Sequence, residues 1–177
     1  SGTGRWLDLD PGLRHHHVSG DADVARLVRH LTNRAVGVVF SGGGARGFAH
    51  IGVIRALREA GVPIDAVGGT SIGSIIAAGV AAGWSNEELA TRIRRAFVES
   101  NPLNDYTWPL VSLVSGRKVG RLLRAQFGDT DIEDLERSFY CVSTNLTNGQ
   151  AGVHRRGKLW LWLRASIAIP GILPPVC

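Results

Sequence analysis

Ser71 sits in Gly69-Thr70-Ser71-Ile72-Gly73, a G-x-S-x-G pattern, and an upstream run reads Gly42-Gly43-Gly44-Ala45-Arg46-Gly47. These residue types fit nucleophilic attack on an acyl carbon. A serine hydroxyl opens a carboxyl ester when a base takes its proton and N–H donors hold the oxyanion that develops. Glycines lack the side chains that would screen their amides, so Gly42, Gly43 and Gly44 are candidate donors. In a G-x-S-x-G turn the serine occupies a sharp bend between a strand and a helix. The glycines at Gly69 and Gly73 remove side chains that would collide across so tight a bend. The helix start adds free N–H groups and partial positive charge beside the hydroxyl.

The elements that must position these residues are legible on either side of them. Val36 to Ser41 is rich in β-branched residues and predicts a buried strand running into the triple-glycine loop. A helix over Phe48 to Ala60 follows, with Ile51, Ile54, Ala56, Leu57 and Ala60 at helical spacing and Gly61 as its cap. Ile64 to Gly69 is a second strand, and Ile72 to Trp84, rich in Ala and Gly, is the buried helix after the bend. A right-handed crossover between the two strands brings both loops to one edge of a parallel sheet. G-x-S-x-G alone arises by chance in a chain with 23 glycines; two glycine-rich turns within one βαβ unit are the more specific signal. The plainer reading keeps the glycines for turns and the serine as a helix N-cap.

G-G-G-A-R-G followed by G-T-S-I-G resembles the patatin-like phospholipase family, and the stretch from His50 to Gly73 is similar to its bacterial, neuropathy-target-esterase-like branch. His15-His16-His17-Val18 and the stretch from Arg164 to Val176 fit as well, so the resemblance covers almost the whole chain. It implies a three-layer α/β/α fold with a mostly parallel sheet and an antiparallel edge. It also implies a Ser-Asp dyad without histidine: Ser71 as nucleophile, Gly42, Gly43, Gly44, Arg46 and Gly47 as the oxyanion loop, and Gly69 and Gly73 as the elbow. Arg46 would orient the loop or meet a phosphate. The implied substrate is a phospholipid or lysophospholipid, with no cofactor and no metal. The implied setting is the cytoplasm with peripheral contact at the inner membrane face, and a cyclic-nucleotide-binding domain upstream.

In that family the aspartate lies in an Asp-Gly-Gly or Asp-Gly-Ala motif shortly after the Pro-Gly-x-x-Pro-Pro stretch. Here Pro170 to Pro175 is followed only by Val176 and Cys177, and none of the nine Asp residues of the chain precedes a Gly. The chain starts Ser-Gly and contains no Met. The expectation is an excised piece: a linker over residues 1–20, then a patatin-like domain over 21–177 cut before its aspartate, with little activity alone.

At 177 residues and 44% hydrophobic content the chain suits one globular domain. Its net charge of +5 comes almost wholly from arginine, Lys118 and Lys158 being the only lysines. Arg55, Arg58, Arg92, Arg94, Arg95, Arg117, Arg121 and Arg124 are spread over several helices rather than gathered on one face, so no nucleic-acid partner is expected. Solvated helix faces account for them, with attraction to anionic lipid head groups as the alternative. Cys141 and Cys177 make no disulfide framework, and a reduced setting is the default. No apolar run reaches the roughly 18 residues needed to span a bilayer.

Elsewhere, three consecutive histidines, His15 to His17, point in different directions and carry no metal-ligand spacing. Asp21 to Arg34 reads as an amphipathic helix capped by Asp21 or Asp23, with Val24, Leu27, Val28 and Leu31 as the stripe that packs on the sheet. His50, inside the crossover helix, reads as structural rather than as a base. Ser85 opens a capping box for a helix to about Ser100. Asn101 to Ser115 is either a lid near the site or a packed loop. Gly116 to Phe127 is a helix, and Phe139 to Leu146 and Ala151 to Arg155 form a hairpin through Asn148-Gly149. Trp160 to Ile169 is a last helix.

Two other functions compete. Gly42-x-Gly44-x-x-Gly47 after a strand satisfies a dinucleotide fingerprint, but its acidic partner belongs at the end of the second strand and Asp65 stands at the beginning. A non-catalytic lipid-binding or regulatory fragment is the third reading.

Overall fold

Four strands form one mixed sheet in the computed structural model, which describes residues 2–10, 12–100, 104–107 and 112–176. The strands are β1 (Gly37–Phe40), β2 (Ala66–Thr70), β3 (Ser138–Thr144) and β4 (Ala151–His154), in that spatial order. β1, β2 and β3 are parallel, with Phe40 opposite Gly69 and Thr70 opposite Val142. β4 returns antiparallel through the Asn148-Gly149 turn and sets His154 opposite Cys141. This is the α/β architecture with an antiparallel edge that the sequence predicts.

The helices are α1 (Gly2–Leu9), α2 (Asp21–Leu31), α3 (Ala49–Glu59), α4 (Ile72–Ala81), α5 (Asn86–Arg94), α6 (Arg117–Phe127) and α7 (Leu159–Ser166). Every residue of α4 is buried. Its small side chains let it lie close along β2 and β3, which is why so apolar a segment belongs inside the domain. Ile75, Ile76, Leu89, Leu123, Leu159 and Leu163 close the core around it. At α5 the Ser85 hydroxyl accepts from the Glu88 N–H and the Glu88 carboxylate accepts from the Ser85 N–H, as the capping box requires. A π turn, Arg95–Glu99, prolongs that helix towards Ser100. No helix among the described residues is long and apolar enough to cross a membrane.

Four expectations need correction. The strand before the glycine loop is not buried: β1 lies at the edge of the sheet, with Val39 exposed and Phe40 its one buried residue. Residues 1–20 are not an irregular linker throughout: Gly2–Leu9 is helical with Leu7 buried, and the rings of His15 and His17 reach the Glu133 carbonyl. The α2 stripe does not face the sheet: Val24, Val28 and Leu31 are exposed and the buried residue is Arg26. Gly20, rather than an aspartate, is the N-cap of α2, while Asp23 accepts from both the N–H and the hydroxyl of Ser19. The 101–115 loop is described only in part, residues 101–103 and 108–111 lying outside the described set. Its described ends are paired, Tyr106 with Val114 and Ser112 with Gly171.

The inward face of α2 is cationic because it meets polar groups. Arg26 donates to the carbonyls of His17 and Glu136, and Arg29 donates two nitrogens to Asp65, whose side chain is 1% exposed. Asp65 also accepts from the Val36 N–H, so it ties α2 to the start of both β1 and β2. Burial pushes the Asp65 carboxyl up, but the Arg29 guanidinium and the Val36 N–H outweigh it and hold it below its ordinary value. Such a group contributes stability that is complete above its unfolded pKa, about 3.9, and is lost as pH falls through its folded value. Asp65→Asn is expected to cost about 3 kcal/mol at neutral pH, the low end for breaking a buried pair, because Arg29 keeps part of its exposure. Urea midpoints of wild type and variant, converging as pH falls below about 4, check it.

Candidate active site

Ser71 follows the last residue of β2 and precedes the first of α4, with φ +55° and ψ −130°. That left-handed conformation costs a non-glycine residue about 1–3 kcal/mol and persists only where its surroundings impose it. Two glycines make the bend geometrically open. A Cβ on Gly69 would lie 2.6 Å from the Gly73 carbonyl carbon and 2.7 Å from the Ser74 nitrogen. A Cβ on Gly73 would overlap the carbonyl oxygens of Phe40 and Ser41, where β1 ends. Both neighbours are backbone, so neither can swing aside.

The same close packing brings the glycine-rich loop to the serine. β1 and β2 run parallel, so their C-terminal ends, which carry Gly42 and Ser71, open at one edge of the sheet. A Cβ on Gly42 would lie 3.3 Å from the Ser71 Cβ, so the two turns are in contact. Ser41 to Arg46 are exposed. The Gly42 and Gly43 N–H groups donate to no described residue. Gly44 to Phe48 winds as a 3₁₀ turn before α3, so the expected helix at Phe48 is preceded by tighter coiling. Within it Gly47 is buried, and a Cβ there would run into the Ile72 side chain, which makes Gly47 a packing contact between the loop and α4 rather than an open amide. Arg46 is exposed and forms no ion pair among the described residues.

The Ser71 backbone is held at both ends. Its carbonyl accepts from the Ser74 hydroxyl at 2.6 Å and the Ser74 N–H at 2.9 Å. Its N–H donates to the Ser166 hydroxyl at 2.8 Å, which itself donates to the Val142 carbonyl at 2.6 Å. Ser166, at the end of α7, was not singled out by the sequence as a site residue, because a serine closing a helix carries no local signature of what it will meet. The Ser71 hydroxyl makes no hydrogen bond to a described residue, so no Asp, Glu or His among them is joined to it directly.

Other candidates fall away on geometry. The His50 Nε2 lies 3.1 Å from the Ser41 carbonyl, to which it can only donate, so the ring braces the start of the loop. Asp65 is committed to Arg29 and Val36 at the opposite end of the strands from Ser71, leaving the dinucleotide reading without its ribose acid. Burial pushes the Cys141 thiol up to about 12, which removes it as a rival nucleophile. A serine–histidine contact does exist elsewhere: the Ser143 Oγ lies 2.7 Å from the His154 Nε2, and the ring stacks on Trp162 at 3.7 Å. Burial lowers the His154 pKa, and no hydrogen bond joins either residue to Ser71. A cavity of about 560 Å³ lined by His16, His30, Tyr140 and Arg155, among others, does not include Ser71 or the triple-glycine loop. Among the described residues no group of three His, Cys, Asp or Glu is placed to hold a metal.

A family model described as patatin-like phospholipase matches residues 38–176. An NTE family protein of Mycobacterium tuberculosis is 44% identical over 97% of this chain, and the match spans 29% of that protein. Lysophospholipase nte1 of Aspergillus fumigatus is 42% identical over 88% of this chain, and the match spans 10% of that protein. The chain therefore corresponds to less than a third of the length of these relatives. Among solved structures, VipD from Legionella pneumophila superposes with a TM-score of 0.54 at 15% identity, over 78% of this chain and 43% of that one. The type III effector protein ExoU gives 0.51 at 17% identity, over 77% and 40%. At such identities the two structural likenesses speak to the fold alone.

Proposed function

The chain belongs to the patatin-like phospholipase family, and on that premise we propose that it carries the nucleophile and oxyanion loop of a serine acyl hydrolase. Ser71 gives its proton to a base and attacks the ester carbonyl of a phospholipid or lysophospholipid; the C–O bond to the glycerol oxygen breaks, that alcohol leaves with the proton, and water then opens the acyl-enzyme to release the fatty acid. The Gly42, Gly43 and Gly44 amides hold the tetrahedral oxyanion, with Arg46 orienting the loop or meeting the substrate phosphate. The observation that carries this reading is the serine held at positive φ in contact with a glycine loop whose first two amides are unengaged. A hydroxyl alone is a weak nucleophile at neutral pH. The base is an aspartate outside these 177 residues, a reading supported by the lack of any described acceptor on the Ser71 hydroxyl and by the small share of each relative that the chain spans. The lysophospholipase relative favours a monoacyl lipid as substrate, met at a membrane surface on the cytoplasmic side.

The lack of that acceptor also favours a second reading, a fragment that binds lipid without hydrolysing it. Fatty-acid release from a lysophospholipid, measured with the 177-residue chain and with the full-length protein, separates the two. Release by the full-length protein and none by the short chain is expected. Comparable release by the short chain would refute an external base, and none by either would leave the binding fragment.

A further inference from the structure

We propose that Ser166 is the positioning residue that fixes the backbone of the nucleophile turn. The proposal rests on the reading of Ser71 as nucleophile, but its structural half can be tested apart from catalysis. Thr70 is the last residue of β2 in register with β3, opposite Val142. At Ser71 the chain leaves the sheet and turns into α4, so its N–H loses the ladder, and the first N–H groups of a helix have no partner within it. The Ser166 hydroxyl fills that gap. It has one hydrogen, which goes to the Val142 carbonyl at 2.6 Å, so towards Ser71 it can only accept, and it does so at 2.8 Å. One hydroxyl thus links the Ser71 N–H to the Val142 carbonyl in a partly buried place.

This arrangement differs from the other backbone contact of the same residue. The Ser74 bonds to the Ser71 carbonyl are local, three residues along the chain, and form with the helix. Ser166 lies 95 residues away, at the end of α7, where the chain enters Pro170-Gly171. The backbone at Ser71, beside Gly42, is therefore tied to both β3 and α7. It also follows that the Ser71 N–H is engaged and does not serve the oxyanion, which leaves that task to the loop amides.

The test has two arms. In residue-resolved amide hydrogen exchange, the Ser71 N–H is expected to be protected in the wild-type protein and to exchange at least about tenfold faster in Ser166→Ala, while Ser166→Thr, which keeps the hydroxyl, retains protection. In the full-length protein, Ser166→Ala is expected to lower kcat for lysophospholipid about tenfold to a hundredfold with KM within about twofold, and Ser166→Thr to recover most of kcat. A purely structural serine would shift melting temperature and leave kcat alone. An unprotected Ser71 amide in the wild type overturns the proposal even if Ser166→Ala does not fold, and unchanged kcat in a folded Ser166→Ala overturns it as well. Hydrolysis that survives Ser71→Ala would instead strike the nucleophile assignment, leaving the exchange arm to judge the Ser166 contact by itself.

Discussion

Ser71→Ala is expected to lower lysophospholipid hydrolysis by the full-length protein by on the order of 10⁴-fold or more, to what binding and oxyanion donors supply without a nucleophile. The same change should leave stability within about 0.5 kcal/mol. The reason is that the hydroxyl bonds to no described residue, so its removal orphans nothing, and alanine carries the same Cβ at the same positive φ. A large kinetic effect beside a negligible shift in urea midpoint distinguishes a reacting group from an N-cap, whose loss costs about 1 kcal/mol. Ser71 makes no side-chain cap to α4 in any case.

Gly73→Ala is expected to have the largest effect on folding. Its Cβ would overlap the Phe40 and Ser41 carbonyl oxygens, which belong to the end of β1 and cannot rotate away. Either α4 lifts from the sheet or β1 shifts, and both separate Ser71 from Gly42. The expected cost is about 3 kcal/mol or more in urea unfolding, at the upper end for overpacking, with at least about a hundredfold loss of hydrolysis from misplacement of the hydroxyl. The controls are Gly52 in α3 and Gly120 in α6, where a Cβ meets nothing within 4 Å. Alanine there should stabilise by about 0.5–1 kcal/mol, since helical glycine loses more backbone entropy on folding. Opposite signs for the same chemical change would tie the cost at Gly73 to close approach rather than to glycine content.

What the sequence disclosed was the part of the fold encoded over short distances. β1, the glycine loop, α3, β2 and α4 follow from apolar runs and glycine punctuation, and the β3–β4 hairpin from Asn148-Gly149. The capping box at Ser85 is readable because both partners lie within four residues. The errors lie where a distant partner decides. The period of α2 is right and its orientation wrong, since the inner face must supply cations to Asp65 and to the His17 and Glu136 carbonyls, and hydropathy alone does not register that demand. α1 escaped because its eight residues, two of them glycine, hold little helical signal of their own; Leu7 is buried, and Arg156 donates to the Leu7 carbonyl. Of the site, the bend and its glycines were legible, and Gly47 was legible as part of the glycine loop but not as the seat of Ile72. Ser166 was not, because its role exists only once α7 is docked beside β3.

Covalent capture decides whether the Ser71 hydroxyl is the nucleophile. The full-length protein is treated with a fluorophosphonate, digested, and the adduct located by peptide mass spectrometry, with and without lysophospholipid present. A single adduct on Ser71 is expected, suppressed by the lipid and absent from Ser71→Ala. An adduct on another residue, Ser143 for example, or hydrolysis that continues while Ser71 stays unlabelled, would contradict it.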